Sequence, residues 1–211
     1  MKQIHWLLIV AVLSLSVVRF ANAGTKETVS GDTYQSPLAN FTVPLPSWQG
    51  LQISDKSDSD SGRVTFFADL GQLRAVTYLR NPADSESVFK GEERDTAYKG
   101  FLKVYIWPSL YGRAPKGAQI VHEEFVGDGD GRAYFAVVNI PEGSTLTDVK
   151  VNKRRDSVRG LIIFEKRGFM YMVEQEMNSI SSAVTATALT SGQLESLRTD
   201  LKKVRDSMIF K

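Results

Sequence analysis

The sequence predicts an α+β fold in which an antiparallel β-sheet is flanked by helices. Three observations carry that expectation. Three pairs of runs alternate apolar with polar residues, and each pair is joined by a short glycine-containing link, the pattern of β-hairpins. Links this short suit antiparallel neighbours, because parallel strands need a crossover of a dozen residues or more. An apolar repeat at helical spacing, Leu194, Leu197, Leu201, Val204 and Met208, closes the chain.

Residues 1–23 read as a secretory signal peptide. Lys2 supplies the positive start, Trp6 to Val18 is apolar with two serine breaks, and Ala21-Asn22-Ala23 is a small-x-small exit before Gly24. The apolar stretch is short for a membrane-spanning helix, which takes about 20 residues; an uncleaved anchor is the alternative. Cleavage removes Lys2 and Arg19 and leaves 24 basic against 24 acidic residues, a net charge of zero. Bulk charge therefore draws the mature chain to neither nucleic acid nor anionic lipid. No second long apolar run follows, so no integral membrane segment is expected in the mature chain, and its localisation is expected to be periplasmic or secreted.

Cysteine is absent, although an exported chain meets an oxidising compartment. That excludes thiol nucleophiles, thiolate metal sites and a lipid-attachment cysteine. Only His122 remains once His5 leaves with the signal, so a histidine-rich metal site cannot form within one chain. No cofactor or catalytic motif stands out, and no cofactor is expected.

Gly24 to Asn40 reads as a flexible polar leader with a contact at Tyr34. The remainder, 41–211, is expected to form one domain. Phe41, Val43 and Leu45 alternate with Thr42 and Pro44 as an edge strand, since Pro44 and Pro46 argue against a central place. Asp55 to Gly62 reads as a loop. Val64 to Arg80 is the first hairpin, with a type II′ turn at Gly71-Gln72. Asp84 or Ser85 caps a helix carrying Tyr98, Phe101, Leu102 and Tyr105, which Pro108 ends. Ile120–Val126 and Ala133–Ile140 form the second hairpin around a Gly/Asp turn. Val158–Lys166 and Phe169–Glu176 form the third around Arg167-Gly168. Thr190 with Gln193 makes a capping box for the closing helix.

This order of elements resembles the PsbP-like family, which includes the extrinsic photosystem subunit, its bacterial relatives and a eukaryotic Ran-binding import factor. The residues that carry the resemblance are the opening Phe41-Thr-Val-Pro-Leu-Pro-Ser-Trp48, the strand ending at Asn81-Pro82, the central hairpins and Ser207-Met208-Ile209. It covers about Pro37 to Phe210. The resemblance implies an α/β/α sandwich and, as in many members, a non-enzymatic binding or assembly role. It transfers no functional residue.

The candidate sites each carry two readings. Asp128-Gly129-Asp130-Gly131 offers two carboxylates to calcium but lacks the closing glutamate of an EF-hand loop, so a turn is the leading reading. Asp55, Asp58 and Asp60 read likewise as a solvated loop, with a weak calcium site as the alternative. In the strand around His122, Val121 and Phe125 fall on one face and His122 and Glu124 on the other; a general base there lacks a nucleophile partner. Lys150, Lys153, Arg154, Arg155 and Arg159 form the densest basic run, a solvated turn or a docking surface. Trp107 and Tyr111 lie past the periodic part of their helix and line either the core or a binding groove. Trp48 reads as a plug over the sheet edge.

The first functional expectation is an exported binding or assembly-accessory protein, not an enzyme, with a protein partner in the cell envelope. Its contacts are placed at Trp107 and Tyr111 or at Lys153, Arg154 and Arg155. The alternative is an exported hydrolase using strand carboxylates, of which Glu174 and Glu176 share one face at period two.

Overall fold

The computed structural model describes residues 29–38, 40–58, 60–69, 71–81, 92–112, 114, 117–144, 146–148, 152–177 and 189–211. The signal-like segment, the helix start at Asp84 or Ser85, and Lys150 lie outside these residues.

Seven strands form the main sheet, and every neighbouring pair is antiparallel. They are β4 (Gln52–Ser57), β5 (Ser61–Ala68), β6 (Gln72–Arg80), β7 (Gln119–Val126), β8 (Ala133–Ile140), β11 (Ser157–Lys166) and β12 (Phe169–Glu176). The spatial order is β4-β5-β6-β12-β11-β8-β7. Three hairpins account for most of it, and β12 joins them by pairing with both β11 and β6. A second sheet, ordered β1-β2-β3-β13, combines β1 (Val29–Ser30), β2 (Thr33–Gln35), β3 (Phe41–Pro44) and β13 (Ile209–Phe210). Two short strands, β9 (Thr147–Asp148) and β10 (Lys153–Arg154), pair as an outlying arm.

Alternation along the strands builds two cores, because successive side chains point to opposite faces. On one face Phe66, Tyr78, Phe135, Ile162, Tyr171 and Val173 pack with Leu197, Leu201 and Val204 of α2 (Ser191–Ser207) and with the second sheet. On the other, Tyr134, Leu161, Ile163, Met170 and Met172 pack under α1 (Glu92–Gly100) and the π-helix that continues it, Phe101–Tyr111. The result is the expected α/β/α sandwich. The capping box at Thr190 is present, with Gln193 N donating to Thr190 Oγ1 at 3.2 Å and Thr190 N to Gln193 Oε1 at 2.9 Å.

Several local expectations are corrected. The described part of the polar leader is a hairpin, because Tyr34 buries completely and its hydroxyl donates to Asp55 Oδ2 at 2.6 Å. β3 is an inner strand of the second sheet, between β2 and β13; Pro44 is tolerated at its end, where Leu45 N takes over the pairing to Asp32 O at 2.7 Å. Asp55 belongs to β4, and the loop shrinks to the turn at Asp58, whose Oδ1 accepts from the backbone of Asp60 and Ser61. Gly71 follows its turn at φ +73° instead of leading it, and Gln72 is already strand. Pro108 does not end its helix. An α-helical interior would clash with it, but the wider π register admits it: Gly112 N bonds Trp107 O at 2.6 Å, and the Ser109 hydroxyl donates to Tyr105 O and Ile106 O.

Candidate functional site

α1 is tied to the β7–β8 hairpin by charge. Arg132 makes a two-pronged pair to Asp95 at 2.7 and 2.6 Å, and the paired guanidinium holds the Asp95 carboxyl below its ordinary range. Lys99 Nζ reaches Glu123 Oε1 at 3.0 Å, and the Tyr134 hydroxyl donates to Glu123 Oε2. These two donors hold the Glu123 carboxyl down as well. Lys99 also sits over the Phe125 ring, 5.4 Å from its centroid. The start of the π-helix is thereby fixed beside β7.

Between them lies an open groove of about 460 Å³, lined by Lys103 and Trp107 from the π-helix and by Ala118, Gln119 and Ile120 at the start of β7. Trp107 stands at the groove with its ring tilted against Tyr111, centroids 5.4 Å apart. Tyr111 itself is fully buried and is not among the lining residues, so of this pair only Trp107 faces the groove. The lining of Lys103 and Gln119–Ile120 was missed from the sequence. Lys103 was within reach, since it stands four residues before Trp107 and so shares its helical face.

The basic run divides. Lys153 and Arg154 are exposed on β10, and Arg155 continues the arm with its backbone N on Leu146 O at 2.9 Å. None of the three lines the groove. Arg159 turns inward instead, and its Nη1 meets Glu174 Oε1 at 2.7 Å.

Glu174 and Glu176 do share a face, but it is a buried one. Glu174 is held between Arg159 and Arg63, whose Nη2 meets Oε2 at 2.8 Å, while Arg63 Nη1 also donates to Thr77 Oγ1. Burial alone would raise this carboxyl; the two guanidinium groups outweigh it and hold it down at about 2. Glu176 shifts the other way, because burial outweighs Arg159, 3.6 Å away. Burial beside Glu174 also pushes the Tyr111 phenol well up.

His122 and Glu124 share a face, as alternation required, with Nε2 to Oε1 at 3.3 Å. The same oxygen accepts from Arg198 of α2 at 3.0 Å, and the imidazole rests against Phe135. Val121 does not pair with β8. It is the extra residue of a β-bulge between Ile120 and His122, and it is exposed.

The glycine-rich turn is held by arginine. Arg94 of α1 donates to Gly129 O and Arg205 of α2 to Gly131 O, so helices from both faces converge on it. Among the described residues no group of three or more His, Cys, Asp or Glu is arranged to hold a metal ion. Trp48 packs against the core, with Arg74 over its ring at 5.6 Å.

The architecture is that of an α+β sandwich with an antiparallel sheet between helical layers. No protein-family model matches the chain, and no curated protein matches it. Among solved structures it is similar to cyanobacterial PsbP (CyanoP) from Synechocystis, at 15% identity and a TM-score of 0.47, over 90% of this chain and 100% of that one. It is also similar to a protein from Bacteroides thetaiotaomicron, at 11% identity and a TM-score of 0.43, over 87% of this chain and 49% of that one. The first is of the family that the sequence resembles; neither bears on function at this distance.

Proposed function

We propose that this chain is an exported, non-catalytic binding or assembly-accessory protein that holds a protein partner of the cell envelope against the groove between the π-helix and β7. Its export is inferred from the signal-like residues 1–23. The observation that carries the binding reading is Trp107, half-buried against the core and lining an open groove on the π-helix. Tryptophan anchors in such recesses supply a disproportionate share of binding energy at protein interfaces. Val104, on the same helix, is exposed. A long π-helix also points to function, because that geometry is rare and concentrates at functional sites.

The hydrolase reading is disfavoured by the placement of its carboxylates. Glu174 is wholly enclosed and neutralised by two arginines, leaving no face for substrate. The exposed Lys153 and Arg154 remain a second docking surface, to be tested alongside the groove.

Crosslinking of C-terminally tagged protein in its native envelope tests the reading. One protein should recur at near-equal amount. Trp107→Ala should reduce its capture by about tenfold or more, the loss expected of an interface anchor. Because Trp107 also packs on the second core, wild type and variant are compared well below the Tm of each, with both shown folded by circular dichroism. Capture that survives Trp107→Ala but fails in Lys153→Glu/Arg154→Glu moves the interface to the arm. Capture unaffected by either variant, or no partner at all, contradicts the proposal.

A further inference from the structure

From Lys99 to His122 the chain carries no acidic residue, while Lys99, Lys103, Arg113 and Lys116 fall within it. Every residue lining the groove comes from this stretch. Among the described residues the groove lining carries one charge, the cation of Lys103, in an otherwise largely apolar wall. Lys99 is committed to Glu123. Lys103 is exposed and also acts on Glu123, which leaves two lysines against one carboxylate beside the groove.

A second observation is independent of charge. β7 is the last strand in the sheet order, so no described strand pairs with its outer edge. A strand edge exposes a row of backbone N–H and C=O groups that seek a partner. The groove opens on the first residues of this strand, Gln119 and Ile120, and the bulge at Val121 separates them from the regular run His122–Val126. The strand edge thus meets the groove at Gln119 and Ile120, and Lys103 lines the same groove. An extended chain can satisfy all three together, with its main chain on the edge and alternate side chains in the recess. An anionic membrane would meet only the cation.

We propose that the groove takes an extended acidic segment of a protein partner, which adds as a strand to the outer edge of β7, sets an apolar side chain against Trp107 and Ile120, and brings a carboxylate to Lys103. This rests on the groove reading above and names its ligand.

The test uses tagged protein purified from the envelope and fluorescein-labelled peptides read by anisotropy. The first peptide alternates glutamate with valine around one central phenylalanine. The second replaces glutamate by lysine, and the third methylates alternate backbone nitrogens of the acidic peptide. Phosphatidylglycerol vesicles serve as the membrane probe. The acidic peptide should bind, and the lysine and methylated peptides should bind about tenfold more weakly or less, since charge contacts and backbone hydrogen bonds are lost. Lys103→Glu should weaken the acidic peptide by a similar factor. Equal binding of the methylated or lysine peptide overturns the proposal, as does binding of vesicles without the acidic peptide. If the acidic peptide fails while envelope capture still depends on Trp107, strand addition is wrong and the groove reading stands. If capture does not depend on Trp107, both fall.

Discussion

Glu174 is fully buried, yet it stays charged because Arg63 and Arg159 close on its two oxygens. Such a pair adds little net stability, but removing one member strands buried charge. Glu174→Gln should therefore lower the unfolding free energy by about 3 kcal/mol at neutral pH, read by urea titration. The pH dependence has a definite sign. Glu174 titrates at about 2 in the folded protein, below its ordinary range, so its contribution is present above that ordinary range and is lost as pH falls toward 2. The gap between wild type and Glu174→Gln should close along the same path; a gap constant from pH 7 to pH 3 would contradict this assignment. Glu176 is raised by burial, so its contribution runs oppositely and is lost as pH rises through its folded value. That these two glutamates share a face was legible from a period of two. Their burial was not, because the neutralising arginines come from positions 111 and 15 residues away in the chain.

The elements that could be read were those specified by neighbouring residues. The capping box and the leucine repeat of α2 are local signals, and the helix forms as they require. The π-helix is different: a proline in a helical pattern ordinarily ends it, and only the widened register with its Ser109 bonds shows why Pro108 stays. The bulge at Val121 was equally hidden, since alternation presumes unbroken register. Packing of α2 depends on a position that looked unremarkable. A Cβ at Gly160 would lie 2.6 Å from Leu197 Cγ and 2.8 Å from Leu201 Cδ1, so the glycine makes room for the helix. Gly160→Val should cost about 1–3 kcal/mol through overpacking, seen as a Tm drop of several degrees. Gly192→Ala, where a Cβ meets nothing within 4 Å, should leave Tm unchanged or slightly higher. Equal effects of the two would show that α2 does not seat on β11.

At the scale of the molecule, two helical layers and a second small sheet enclose one seven-stranded sheet without any cysteine. Its stability should therefore be indifferent to reductant: the same Tm with and without dithiothreitol is expected, whichever compartment it occupies. The architecture was legible because three hairpins and one amphipathic helix leave few ways to pair antiparallel strands. The groove was only half legible, since it joins the π-helix to a strand that follows it in the chain but meets it only in space. Within this frame the structural ion pairs, around Glu174 and at Asp95, hold elements together, while Trp107 is half-buried against the second core and also lines the groove. The most direct measurement is site-specific photocrosslinking in the native envelope. A benzoylphenylalanine replaces Val104 on the π-helix or, as a control, Lys202 on the outer face of α2, both exposed. A single recurrent protein adduct from position 104 and none from position 202 is the predicted result. Equal adducts from both positions, or none from 104, would contradict the assignment of the π-helix groove as the binding surface.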